Sequence, residues 1–569
     1  MDALLLIVIV GAPLMASALI ALFGSTLGEK SSSIGISALW VSTVAALGSL
    51  YSIVQGEPLR LTISVFLPEP LFYTVLIDRL AAVMMVLITG VSLVIHVYSQ
   101  RYMQGDQGYV RFFSLLGLLT FVLLSLVTSG NLFWLFIWWH LVTWLLVFLL
   151  SFNKTSPAGR AAARTTLRVQ GLGDAALLGG LLLIYATFGT LDLTELFQTL
   201  QSSAATPLWA GTVVEINAVT AITLVILIAI MTKSAQFPFH VWLPGTIEAP
   251  TPVSAMLHAG IVNAGGFLVN RLAPLYGAAP TSLHLMVLIG GLTALIGAST
   301  MLTQSSIKRT LVYSTMGQMG YMIMECGLGA FALAVFHLCA HGLFKATLFL
   351  NSGANIQKAR NEFKLPEHDH VNEPPAFSLV TWATGFGVTL LLPLIILLAA
   401  HGLVRIPLFE TQGTLIFLFF AWVTSAQAIF SLYRLDAVAS WKVALTMVAT
   451  LALIAWTYLW AGEAFTHFLY PDPGQAAAYF QAASWPTRLF DAVVVFAAIL
   501  IITVWILLYG KAHGTRFLIP TWLGTLQAKA YVAFLNGLYV EDVLRAWAQC
   551  PRRMKIRPPV RHTAASEPE

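Results

Sequence analysis

Runs of about twenty apolar residues alternate with short polar segments from the N-terminus to about residue 510, and each run is long enough to cross a bilayer as a helix. Fifteen such spans can be drawn, near 3–23, 32–53, 73–98, 111–128, 131–152, 166–188, 217–239, 251–271, 282–303, 308–327, 330–354, 376–401, 412–434, 440–461 and 489–510. The first has no basic segment before it, so it is expected to be a retained helix and not a cleaved signal. Two spans are not simple. The seventh runs into Pro238 and Pro244 directly after Lys233, and the twelfth contains Gly385, Gly387 and Pro393. Both are expected to be broken where proline removes a backbone donor. They lie five spans apart, the hydropathy pattern of an inverted repeat with an ion path at its interface.

The predicted fold is therefore an all-α polytopic membrane protein of about 15 transmembrane helices, with two inverted five-helix repeats and broken helices 7 and 12. Its expected parts are helices 1–3 over 1–110, a first repeat over 111–271, a second over 282–434, C-terminal helices over 440–510 and a basic tail over 511–569. The stretch Thr521 to Gln549 is too polar to span, yet Leu526, Ala530, Leu538 and Val543 recur among its charges. It reads as an interfacial helical arm or, equally, as a docking surface for a soluble subunit.

Composition agrees with this class. The chain is 58% hydrophobic and 10% charged, with a mean hydropathy of +0.81, far from the roughly 25% charge of globular domains. With the N-terminus outside, inside segments hold 22 of the 30 Lys and Arg, outside segments hold 4, and 4 fall within spans. That asymmetry favours an odd number of helices and a cytoplasmic C-terminus. The net charge of +5 is concentrated in the tail and reports topology, not nucleic-acid binding. Cys326, Cys339 and Cys550 are too few and too scattered for a disulfide framework or a zinc site, so no cofactor is expected and any metal chemistry belongs to a partner.

What singles the chain out is ionisable residues at membrane depth. Lys233 ends an otherwise apolar run, where an ammonium costs at least about 2.5 to 3.5 kcal/mol. It is followed by His240 and, in the next span, His258. His337, His341 and Lys345 fall at i, i+4 and i+8 of the eleventh span, which places them on one stripe of a helix. Histidine suits proton transfer along such a stripe because it titrates near neutral pH; the bland alternative is polar glue between helices. Asp174 in the sixth span needs a partner, and Glu325 in the tenth needs one from a neighbouring helix unless it is protonated. Asp78 and Arg79 are expected to pair with each other, and His96 to be a packing residue. Together these residues point to the passage of a small cation.

Three stretches resemble a known family: Lys233-Ser-Ala-Gln236 through Thr251-Pro-Val-Ser-Ala255, then Ile307 through Tyr321, then His337 through Lys345. They resemble the antiporter-like membrane subunits of respiratory complex I (its chain 5, or L, subunit) and of Mrp sodium/proton antiporters. Ile77-Asp-Arg-Leu80 and His96-Val-Tyr-Ser99 are similar to the chain 5 branch. The resemblance covers about residues 70–360 and implies that Lys233 is the channel lysine of the broken seventh helix. It also implies that His258, His337, His341 and Lys345 belong to a central hydrophilic axis, and that Asp174 is the sixth-helix acid. Three departures stand out. His140, in Trp138-Trp139-His140, replaces the glutamate that pairs with the channel lysine. The twelfth span has no lysine, and His401 is its nearest candidate. The chain also stops soon after Asn536-Gly-Leu-Tyr-Val-Glu-Asp542, without room for the long lateral helix of chain 5.

A neutral histidine holds a lysine less well than a glutamate does, so Lys233 is expected to turn to Asp174. The departures are similar to the membrane subunits of DAB-type complexes, which accumulate dissolved inorganic carbon in bacteria. That resemblance implies a cation-conducting subunit, for protons or Na+, in the bacterial inner membrane. It also implies a large soluble zinc-containing partner on the cytoplasmic face, resembling β-carbonic anhydrases, which would perform any hydratase chemistry. The alternatives are a pumping or antiporter subunit of a complex I-like or Mrp-like assembly, and a non-conducting scaffold.

Overall fold

The computed structural model describes residues 2–63, 71–202, 207–208, 216–361, 441–486 and 521–540, with isolated positions beyond them. The expected thirteenth span, most of the twelfth and fifteenth, Pro393 and His401 lie outside the described residues. Within them, eight segments are long and apolar enough to cross a membrane. The first, Leu5–Gln55, comprises α1 (Asp2–Leu27) and α2 (Ser31–Gln55), which pack on each other after a turn at Gly28 with φ +56°. A hydrogen bond of 3.0 Å from the Ser42 hydroxyl to the Ile9 carbonyl ties the two helices together.

Apolar residues fill the core and also cover the outside, while several ionisable ones are buried. Leu22 is 72% exposed and Leu295 66%, while Lys233 and Lys345 are each 1% exposed. Apolar side chains face outward, as lipid requires, and the ionisable ones are enclosed by helices.

The third span begins later than hydropathy alone indicates. Residues Leu59–Ile63 and Tyr73–Ile77 form an antiparallel pair, β1 and β2, in register Leu59↔Ile77. The helix cannot extend back through 73–77 because Asp78 caps it, its carboxylate accepting from the Ala81 N–H at 2.8 Å. α3 (Arg79–Tyr102), α4 (Tyr109–Val127) and α5 (Leu132–Leu150) follow, then α6 (Pro157–Phe188) and the short α7 (Leu193–Ser202). A minimal pair, β3 (Pro207–Leu208) with β4 (Ile216–Asn217), leads into α8 (Ala218–Lys233).

After α8 the chain passes through short 3-10 turns into α9 (Thr251–Ala259) and α10 (Ala264–Arg271), then α11 (Ala273–Gly277), α12 (Pro280–Thr303), α13 (Ile307–Gly327) and α14 (Phe331–Asn361). α15 (Trp441–Leu469) packs against α14 and precedes α16 (Pro473–Ala482). A second unit contains α17 (Thr521–Leu535), which exposes Leu526, Tyr531 and Val532.

One contact positions the site. α6 lies against α8 so closely that a Cβ on Gly173 would overlap the Thr232 hydroxyl. Glycine at 173 is therefore what lets Asp174, the next residue, reach Lys233.

Candidate functional site

The seventh span is broken as expected, and the break supplies its own caps. α8 ends at Lys233, and the carbonyls of its last turn would be orphaned at membrane depth without partners. Ser234 N–H donates to Ile230 O at 2.9 Å, Gln236 N–H to Met231 O at 2.8 Å, and the Trp242 indole to Thr232 O at 2.9 Å. A second break was not expected. The eighth span divides at Gly260, where the Asn263 amide donates to Ala259 O at 2.8 Å. The Ser234 hydroxyl joins the two breaks: it donates to Val262 O at 2.7 Å and accepts from Gly265 N–H at 3.1 Å.

Lys233 points away from these breaks into α5 and α6. Its Nζ lies 2.6 Å from the Thr143 hydroxyl, 3.2 Å from Trp139 O, 3.2 Å from Gln170 Oε1 and 3.7 Å from Asp174 Oδ1. It also sits 4.7 Å from the Trp139 ring centroid, within cation–π range. The other carboxylate oxygen of Asp174 accepts from Thr143 at 3.1 Å and lies 2.8 Å from His140 Nδ1. Lys233 therefore turns to Asp174, and His140 faces the other oxygen of the same acid. Thr143 and Gln170 have no charge to attract notice in a sequence. Their spacing from His140 (i+3) and Asp174 (i−4) puts each on the same helix face as a residue already singled out.

The second group gathers on α9, α13 and α14. His337 lies 3.0 Å from Glu325 Oε2 through Nδ1 and 2.9 Å from Gln318 Oε1 through Nε2. Glu325 thus finds its partner on the neighbouring helix. The His337 and His341 rings are 6.3 Å apart, and Lys345 donates to Leu311 O at 3.1 Å. His258 stacks on Phe349 at 4.4 Å. Both ring nitrogens of His258 and of His341 are buried with no protein hydrogen-bond partner, as are Asn263 Oδ1, Gln236 Oε1, His240 Nδ1 and Gln170 Nε2. Buried polar atoms are nearly always satisfied by protein or water, so these atoms mark where water would have to enter.

Lys233 is not in direct contact with this row. Among the described residues its polar partners are on α5 and α6, while the Gly260–Asn263 break is bonded to Ser234, the residue after Lys233. Gly342 of α14 packs on that break so closely that a Cβ there would come within 2.8 Å of Ala259 O.

Two remaining expectations resolve differently. Asp78 does not pair with Arg79. It pairs with Arg271 of α10 at 2.6 Å, while Arg79 donates to Phe468 O at 2.6 Å. The reason is local: Asp78 is the N-cap of α3, within reach of Arg271, and Arg79 is the first residue of the helix itself. Arg271, 4% exposed and also bonded to Val127 O at 2.9 Å, is a buried tie among α3, α4 and α10, and not a surface cation. His96 is buried, with Nδ1 2.8 Å from Ser92 O one turn back.

Comparison with known proteins places these elements. Residues 129–373 match the model of NADH:quinone oxidoreductase/Mrp antiporter transmembrane subunits, and residues 71–113 that of the chain 5 N-terminus of complex I. The chain is 39% identical to a protein of Halothiobacillus neapolitanus named "Probable inorganic carbon transporter subunit DabB1", over 93% of this chain and 94% of that one. It is 35% identical to NADH-quinone oxidoreductase subunit L of Neisseria meningitidis serogroup B, over 67% of this chain but only 58% of that one. Its fold resembles a solved structure of the Mrp complex from a Dietzia species, with a TM-score of 0.58 at 22% identity, covering 99% of this chain and 64% of the Mrp chain.

Proposed function

This chain belongs to the antiporter-like membrane subunits shared by complex I chain 5 and the Mrp antiporters, and we propose that within that family it is the cation-conducting, energy-coupling subunit of an inorganic carbon accumulation complex. The cation is the proton. Its path comprises Lys233, His258, His337, His341 and Lys345, with Asp174 and His140 setting the state of Lys233 and with Glu325 and His240 beside it. The path sits in a bundle of fifteen helices with two inverted repeats, N-terminus outside and C-terminus cytoplasmic, in a bacterial inner membrane. A soluble zinc protein resembling β-carbonic anhydrases docks on the cytoplasmic face and hydrates carbon dioxide, driven by about 2.3 kcal/mol per charge per 100 mV of membrane potential.

The observation that supports conduction is an enclosed ammonium at the end of a broken helix, sharing one carboxylate with a histidine. A role in carbon accumulation rests on the near full-length likeness to the H. neapolitanus protein. The fold shared with the Mrp complex supports a second reading, an antiporter or proton-pumping subunit of an Mrp-like or complex I-like assembly.

Two measurements separate these. Purification from native membranes is expected to retain one large soluble zinc polypeptide; a set of small membrane subunits would favour the second reading. Lys233→Ala is expected to abolish carbon accumulation and reconstituted proton flux. Accumulation that survives with normal partner binding would mean that the chain is a non-conducting anchor.

A further inference from the structure

His140 is half-exposed, with 42% of its side chain accessible, while Asp174 beside it is 4% accessible. It is thus the ionisable group by which the outer face of α5 reaches the buried pair. Its second nitrogen is occupied. The Trp144 indole Nε1–H, one turn along α5, donates to His140 Nε2 at 2.9 Å. An indole nitrogen can only donate, so Nε2 must present its lone pair and the ring proton must sit on Nδ1. That nitrogen faces Asp174 Oδ2 at 2.8 Å.

We propose that Trp144 is a positioning residue for the Lys233 centre: its indole N–H holds His140 as the neutral Nδ1–H tautomer, so that His140 donates to Asp174 without competing with Lys233 as a second cation. The functional consequence rests on the conduction reading above; the tautomer itself does not.

The indole sets the hydrogen-bond directions on one side of Asp174, and the ammonium, which can only donate, sets them on the other. From one side Trp144 donates to His140 and His140 to Asp174. From the other Lys233 donates to Thr143 and Thr143 to Asp174. Both arms end on the carboxylate. A second proton on His140 would point Nε2–H at the indole N–H, and Trp144 would have to leave. The indole has room to do so: it is 37% exposed and rests on Phe148 with ring centroids 6.1 Å apart. Among the described residues, the charged groups that face His140 are Asp174 from α6 and, through Thr143, Lys233 from α8. α4 meets this stretch of α5 through Phe121, packed on Trp138, which does not titrate. Among the described residues Asp174 is then the one carboxylate that faces Lys233, provided that His140 stays neutral.

Trp144→Phe tests this by removing the N–H while keeping an aromatic ring. The full chain, with its co-purifying polypeptides, is placed in lipid bilayers with 15N-labelled histidine. His140 is assigned among the 13 histidines by its absence in His140→Asn. The wild type is expected to show the Nδ1–H tautomer, and Trp144→Phe a mixture of the two tautomers. Proton flux is expected to fall about three- to tenfold in Trp144→Phe, the worth of one hydrogen bond. A wild-type His140 in the Nε2–H form, or an unchanged spectrum and flux in the variant, overturns the proposal. If the spectra behave as expected while Lys233→Ala conducts normally, the tautomer lock stands and the conduction reading fails.

Discussion

In the Lys233 centre the polar contacts converge on one carboxylate, whereas in the histidine row the polar atoms outnumber their partners. Asp174 is approached by Lys233, Thr143 and His140, each within 3.7 Å. In the row Glu325 holds His337, but both nitrogens of His341 and of His258 lack protein partners. The first arrangement fixes a charge pair in place. The second leaves imidazoles available to a mobile proton carrier. Under the proposed function, residues of similar chemistry thus divide into a part that holds charge and a part that passes it, and the break at Gly260–Asn263 touches Ser234, next to Lys233, and Gly342 of the row's helix.

The largest effect that would sharpen this contrast is expected from Asp174→Asn. It leaves a buried ammonium without its counter-charge, which costs about 3–5 kcal/mol. Thermal unfolding of the purified complex should show a marked loss of stability, and flux should fall to background. Wild-type flux in Asp174→Asn would show that Lys233 does not depend on Asp174. Glu325→Gln makes the same chemical change in the other group, where His337 can shed its proton and remain bonded to the new amide. The loss there should be smaller, about 1–3 kcal/mol. Equal losses in the two variants would erase the distinction. Combining Asp174→Asn with Lys233→Met removes both charges, and stability should return to within about 1 kcal/mol of wild type while flux stays absent.

These variants could be chosen largely from the sequence, because a charge in an apolar run and a proline after it are local signals. Lys233, Pro238 and Asp174 announced a broken helix and its counter-charge. The break at Gly260 did not, because no proline marks it: the Asn263 side chain replaces the missing backbone bond, and asparagine in an apolar segment has many other uses. Nor did the partner of Asp78, since Arg271 lies 193 residues away and the adjacent Arg79 offered a simpler pairing. The β1–β2 pair was hidden because short alternating strands beside an apolar run blend into its hydropathy. Thr143 and Gln170 were legible only after the residues one turn away had been singled out.

The smallest stability effect, and the most discriminating test of the row, is expected from His341→Phe. Phenylalanine nearly matches histidine in shape and lacks the two nitrogens that have no protein partner in α14. No protein hydrogen bond is lost, so the complex should unfold at the wild-type temperature or slightly above it, because an unsatisfied buried group is removed. Proton flux should nevertheless collapse, since a ring without titratable atoms cannot hand a proton between His337 and Lys345. If instead the variant unfolds early and keeps its flux, His341 is glue between helices and the row does not conduct. Stability and flux move in opposite directions under the two accounts, so one substitution, measured both ways, decides between them.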